Sequence, residues 1–305
     1  MIGFVLKRCL QALLTLLGVA TVAFALSTLG GDPATLLSSA DSTDAEIAAI
    51  RTAYGLDRPL IERYTDFMVS AAQGDFGNSL MMNVSATQLV LDRLPATIEL
   101  AVTAFVLGIG LAFVLGLAIQ ITQSRLLKGA ALTLAFTRQA IPVFWFGLLM
   151  MMLFSVHLQW LPTMGRGTLA HLVLPAITLA SYELGLYLRL INAGFASEER
   201  QEYVRTALAK GQTRTKIVLR HMLPNALLPL ITVAGLNLGH LLGGTVVAEV
   251  VFSWPGVGRL LIQAVSQRDF PVIMACVVLM AAIFVLMNLI VDLVYALVDP
   301  RVRMK

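Results

Sequence analysis

The 305-residue sequence predicts an all-α polytopic membrane protein, with six transmembrane helices, a large external loop region and a polar cytoplasmic loop. Three observations carry that prediction. Apolar residues make up 58% of the chain and charged residues only 13%, with a mean hydropathy of +0.82. A soluble domain carries about 25% charged and about 45–50% apolar residues. The apolar residues gather in runs of about 18 or more, enough to cross roughly 30 Å of hydrocarbon at about 1.5 Å per residue. The basic residues are shared unevenly among the segments that join those runs. This composition excludes a disordered chain, a nucleic-acid-binding domain and an ordinary cytosolic enzyme.

The predicted spans are 9–29, 98–121, 135–157, 171–192, 226–251 and 271–297. The first begins like a signal peptide, with Lys7 and Arg8 ahead of an apolar run and Ala23-Phe24-Ala25 resembling a cleavage site. That run continues to Leu29 and five more follow, which favours a retained helix. With the N-terminus inside, the cytoplasmic segments hold fourteen Lys and Arg residues, Arg138 among them. The longer external segments hold seven. Arg189, near the inner end of the fourth span, can snorkel to that surface. The bias places both termini in the cytoplasm.

The external segment 30–97 holds nine acidic and four basic residues. Its patterns around Asp44–Tyr54 and Pro59–Ala72 suit short amphipathic helices. It is either a solvated cap or, as favoured here, a docking platform for a soluble partner.

Helix association in lipid relies on small residues that let backbones approach. The second span offers Gly108, Ala112 and Gly116 at every fourth position, and the fifth offers Gly235, Gly239 and Gly243. Polar residues inside spans are costly unless paired or facing a wet cavity. Glu183, Asn237 and His240 therefore either fix helix register or line a translocation path, and both readings stay open. Asn288 and Asp292 also fall within a span, and Asp292 reads as structural. His157, His171 and His240 lack metal-ligand spacing, so no metal site is expected. Cys9 and Cys276 suit packing better than a disulfide.

The chain contains no Gly-Lys dipeptide and hence no P-loop, and no HExxH, paired-cysteine or G-x-S-x-G motif. No catalytic residue and no cofactor site is expected. ATP hydrolysis, if it drives this bundle, belongs to another chain.

The strongest signal lies at 196–231, between the fourth and fifth spans. Glu198, Glu199 and Glu202 crowd the start of a helical pattern, where acids complement the helix dipole. Tyr203, Ala207 and Lys210 share one face, with Val204, Leu208 and Gly211 on the next. Gly211 ends that helix. A basic amphipathic segment follows, with Ile217, Val218, Leu219 and Met222 set against Arg214, Lys216 and Arg220. Leu223-Pro224 and Pro229 lead into the next span. Such a helix can dock into a partner's groove or lie on anionic lipid, and its mixed charge favours a partner.

This loop resembles the EAA loop of ABC-importer permeases. Arg205-Thr206-Ala207 stand at the E-A-A positions, Gly211 at the glycine, and His221-Met222-Leu223-Pro224 at I-x-L-P. The variant YVRTALAKG is similar to the peptide/nickel branch, in which departure from E-A-A is usual. Further similarities are the Lys7-Arg8 start, GDP at 31–33, YGLDRPLIERY at 54–64, GDFGNSL at 74–80 and LPATIELA at 94–101. GGTVVAEVVFSWPGVGRLLIQAVSQRDFPVI at 243–273 and NLIVDLVYALVDPRVR at 288–303 complete the match.

The resemblance implies a single permease domain over 1–305, with its coupling loop at 194–225, in a bacterial inner membrane. It implies a second homologous permease, two cytoplasmic ABC ATPase subunits that bind ATP and Mg, and a periplasmic substrate-binding protein. The lipid bilayer is a further partner and nucleic acid is not. The coupling residues carried over are Glu202, Tyr203, Arg205, Thr206, Ala207, Lys210, Gly211, Leu223 and Pro224. Short peptides are the expected substrate, with nickel, a metal chelate, glutathione or an opine as alternatives. A stand-alone secondary transporter is a distant alternative.

Overall fold

In hydrocarbon an unpaired backbone group costs several kcal/mol, so apolar runs fold as helices that pair every backbone group internally. The computed structural model describes residues 2–29, 43–53 and 55–298, with some side chains, chiefly between 228 and 242 and beyond 291, outside that description. Among the described residues four helices are long and apolar enough to cross a bilayer, or five if one bent pair is a single crossing. Helices α1 (Ile2–Leu29), α4 (Ala86–Thr122), α7 (Leu169–Glu198), α9 (Leu228–Val251) and α11 (Phe270–Val298) fall on five of the six predicted spans.

The third predicted span, 135–157, is not one straight helix. Helix α5 (Arg125–Ala140) and the helical stretch 143–157 meet at 107°. Pro142 disfavours helical geometry at the residue before it, and Ile141 is extended (φ −87°, ψ 126°). Pro142 then precedes α6 (Val143–Met150), where its fixed φ and missing N–H do no harm, and the last turns widen into a π-helix over Met151–His157.

The chain divides into two compact units, residues 1–97 with 255–305 and residues 98–254. In the first, α1 packs along α11. The expected amphipathic helices appear as α2 (Asp44–Ala53) and α3 (Leu60–Ala72). The segment 30–42 lies outside the described residues. Helix α4 starts twelve residues ahead of the predicted second span, and this extension buries Ala86 and Val90 in a core with Phe76, Leu260, Val272 and Cys276. Asp269 ties the unit together, accepting from Ser79 Oγ at 2.5 Å and from the Leu80 N–H at 3.1 Å just before α11 begins. Helix α10 (Val257–Gln267) joins the core through the Val257 N–H, which donates to Thr97 Oγ1 at 2.9 Å.

In the second unit α7 is the central element. Its N-terminus is fixed by His171 Nδ1, which accepts from the Thr168 N–H at 3.3 Å, so this histidine is structural. The Gly108–Ala112–Gly116 stripe lets α4 close on α7. A Cβ at Gly108 would lie 3.1 Å from the Ala180 carbonyl oxygen, and one at Gly116 only 2.5 Å from Ile191 Cγ2. The fifth-span stripe behaves differently at its far end, where a Cβ at Gly243 would meet no neighbour within 4 Å among the described residues. The core gathers Ala112, Tyr187, Leu188, Ile191 and Phe195 with Ile217, Val218 and Met222 from the polar loop.

Candidate functional site

The polar loop folds as a short helix, α8 (Glu202–Ala209), followed by a helical segment over 214–226 whose middle, Ile217–Met222, is π-helical. Helix α8 ends in a Schellman motif. The Gln212 N–H donates to the Ala207 carbonyl at 3.2 Å and the Gly211 N–H to the Leu208 carbonyl at 2.9 Å. This geometry requires a left-handed residue, and Gly211 supplies it at φ +71°. The expected helix stop at Gly211 is where the structure places it.

Val204 and Ala207, three apart, are the residues of α8 that bury, at 0% and 5% exposure. They pack into the core of the second unit with Ile217, Val218 and Met222. Full burial of a valine is worth about 1.5–3 kcal/mol, which holds the short helix against the bundle. Glu202, Tyr203, Arg205, Thr206, Leu208 and Lys210 are exposed. The expected face of Tyr203, Ala207 and Lys210 is therefore divided, with Ala207 turned inward. Leu219, expected among the apolar residues of the second segment, is also exposed, because the π-helical turn carries it away from Val218 and Met222.

Polar contacts fasten the loop at both ends. Tyr203 donates through its hydroxyl to Glu198 and accepts from Asn225 Nδ2 at 3.4 Å. Partial burial, then the bond to Glu198, hold this phenol above its ordinary pKa. Arg214 Nη2 lies 2.8 Å from Glu199 Oε1, and its Nε donates to the Gln120 carbonyl at 3.1 Å. His221 Nε2 pairs with Gln212 Oε1 at 2.9 Å. Arg205 and Glu202 pair at 3.1 Å on the open surface, a contact worth at most about 1 kcal/mol. Leu223 is half-buried and Pro224 exposed in the turn Leu223–Ala226. There the Ala226 carbonyl presses against Gly194 so closely that a Cβ would collide with it. Composition and spacing pointed to none of the Arg214, His221 or Gly194 contacts, since each pairs residues distant in sequence.

A second feature of this unit is a cavity of about 520 Å³ whose wall includes Gln139, Tyr182, Glu183, Arg189, Asn237 and Gly244. Two of the three predicted path residues meet here, with Asn237 Nδ2 donating to Glu183 Oε2 at 2.9 Å. The His240 side chain lies outside the described residues. So does that of Asp292, while Asn288 lines a different, smaller pocket with Arg8 in the first unit. Arg189 and Gln139 were not anticipated on this wall. Arg189 stands seven positions beyond Tyr182, two turns along one face of α7 beside Glu183, which is the signal that could have found it.

Arg138, expected as a loop charge, is buried at 6% exposure inside the bend between α5 and α6. Its guanidinium donates to the Ile141 carbonyl at 3.0 Å, the Thr178 carbonyl at 2.9 Å and Ser181 Oγ at 2.8 Å. It also lies 3.9 Å above the Phe146 ring. At the break before Pro142 Arg138 supplies a donor to the Ile141 carbonyl, and its bonds to Thr178 and Ser181 tie the bend to α7.

The chain as a whole is similar to known proteins. The family described as binding-protein-dependent transport system inner membrane component matches residues 108–304, and its N-terminal counterpart matches residues 1–101. The chain is 39% identical over 306 residues to the glutathione transport system permease protein GsiC of Salmonella choleraesuis, covering 100% of both chains. It is 37% identical to the Escherichia coli K12 protein of that name, again over 100% of both. Two solved structures share the fold. An amino acid ABC transporter with histidines superposes with a TM-score of 0.53 at 19% identity, covering 70% of this chain and 94% of the other. The MetNI methionine ABC transporter in inward-facing form gives 0.55 at 16% identity, covering 70% and 97%. The chain thus belongs to the family of inner-membrane permease components of binding-protein-dependent ABC importers, in the peptide/nickel branch.

Proposed function

We propose that this chain forms half of the translocation path of an ATP-driven importer of short peptides. It would pair with a second, homologous permease and with two cytoplasmic ATPase subunits that hold ATP and Mg. A periplasmic binding protein would deliver substrate to the external face, and both termini would be cytoplasmic. Glutathione enters this reading as a first candidate, because the relatives at 37–39% identity carry that substrate in their names. Nickel, a metal chelate or an opine is the second reading at the level of the branch.

The observation that carries the proposal is the construction of α8. Val204 and Ala207 anchor it to the core, while Tyr203, Thr206, Leu208 and Lys210 present a mixed apolar and polar surface outward. Such a surface suits a groove on a partner. Closure of the ATPase pair would push on α8, and the Arg214, Glu199 and Gln120 contacts would pass that push to α7 and α4. The bundle would then alternate between two states. The Glu202–Gly211 residues, with Leu223 and Pro224, would be the coupling element.

Co-purification from detergent-solubilised membranes tests this directly. Recovery of two ATPase chains, a second permease and a binding protein is the expected result. Recovery of this chain alone, transporting in liposomes without ATP, would establish a secondary carrier instead.

A further inference from the structure

The cavity of the second unit carries a charge pattern that coupling does not require. Leu179, Tyr182, Glu183, Leu186 and Arg189 recur at three- and four-residue intervals on α7 and all line it. The stripe thus presents one acid and one base, on either side of Leu186. Glu183 is half-buried and accepts from Asn237. Arg189 makes no ion pair or hydrogen bond among the described residues. Arg189 is exposed on the wall of this cavity near the inner end of the span, so its guanidinium is open to water or to an anionic visitor.

The spacing of the two charges sets the size of that visitor. Six helical residues place Glu183 and Arg189 about 9 Å apart along the axis. An extended peptide advances about 3.3–3.6 Å per residue, so the ends of a di- or tripeptide match that separation. The volume of about 520 Å³ falls within the roughly 300–1,000 Å³ of small-molecule sites.

Building on the peptide-importer reading above, we propose that this stripe is a zwitterion-reading subsite within the permease. Glu183, positioned by Asn237, receives the ammonium end of the substrate, and Arg189 receives its carboxylate. The carboxylate end then points toward the end of α7 that leads into α8. A charged hydrogen bond of this type contributes about tenfold or more to discrimination. The permease itself therefore checks both termini, in addition to any selection by a binding protein.

The test is ATP-driven uptake by the complete transporter in proteoliposomes, with its binding protein saturated. The probes are trialanine and glutathione, each with its N-acetylated form and its form amidated at the C-terminal carboxylate, which in glutathione is that of the glycyl residue. The binding protein is common to all assays, so its selectivity cancels in the ratio of wild type to variant. E183Q, which keeps the Asn237 hydrogen bond, is expected to lose about tenfold of the preference for a free ammonium while keeping the preference for a free carboxylate. R189Q should show the reverse, and R189K should retain the wild-type pattern, which separates charge recognition from packing. Unchanged ratios in well-inserted variants would overturn the subsite and leave the importer standing. Failure of the wild type to transport either unmodified peptide would overturn the peptide reading and the subsite with it.

Discussion

Arg214 holds Glu199 at 2.8 Å and the Gln120 carbonyl at 3.1 Å, so one guanidinium joins the polar loop to the ends of both α7 and α4. Its side chain is 19% exposed while that of Glu199 is 45% exposed, so water screens the pair only in part. Replacing Arg214 by Met keeps the stem and removes both contacts. The expected loss is about 1–2 kcal/mol after allowance for solvent, seen as a lower thermal midpoint in detergent. Uptake should fall more than the stability change explains, because the loop is no longer tied to α4. Uptake equal to wild type would show that the tie does not transmit motion.

Gly211 has open space around a prospective Cβ but sits at φ +71°. Alanine there is strained by about 1 kcal/mol without a clash, whereas asparagine tolerates the left-handed region better. Gly211→Ala should reduce uptake and Gly211→Asn should recover much of it, with both chains inserted at wild-type levels. Equal effects of the two would place the requirement in side-chain size and not in backbone conformation.

The two small-residue stripes make a matched comparison. Gly116→Ala drives a methyl group into Ile191, an overpacking worth about 1–3 kcal/mol, while Gly243→Ala meets nothing within 4 Å among the described residues. Size-exclusion profiles after heating should show aggregation of the first variant and little change in the second.

Arg138 satisfies two carbonyls and a hydroxyl inside the bend of α5 and α6. Its removal takes the guanidinium donor from the Ile141 carbonyl, at about 1–3 kcal/mol, and one of two donors from the Thr178 carbonyl, which still accepts from Ser181 Oγ. Arg138→Ala should destabilise strongly, and Arg138→Lys should rescue little, since an ammonium cannot reproduce the planar fork. Full rescue by lysine would mean that charge alone matters at this position.

Local chemistry explains which of these features were legible beforehand. Apolar length announced α1, α4, α7, α9 and α11, because backbone pairing in lipid leaves helix as the available answer. Asp44 and Glu46 at one helix start and the Gly211 stop were equally local signals. The bend at Pro142 was hidden by apolar residues on both sides of it, which read as one run. Arg138 was misplaced for the same reason, since a helix end buried by the bend resembles a loop in hydropathy. The inward turn of Ala207 follows from its pairing with buried Val204 on α8, a choice between adjacent helix faces that packing makes. Leu219 lies in a π-helical turn that a count based on 3.6 residues does not describe. Glu183 and Asn237 were named separately from their cost in lipid. Their meeting is a tertiary fact that spacing along the chain cannot supply.

Helix α8 is the element proposed to couple ATPase closure to movement of the bundle. Leu208→Glu tests that role most directly, because Leu208 is 52% exposed and its replacement leaves the Val204 and Ala207 anchor untouched. The measurement is ATP-dependent uptake, with ATP hydrolysis recorded in the same proteoliposomes. Uptake should be abolished in a correctly inserted, thermally stable chain, with hydrolysis no longer stimulated by the loaded binding protein. Wild-type uptake per ATP in the Leu208→Glu variant would contradict the coupling role of α8.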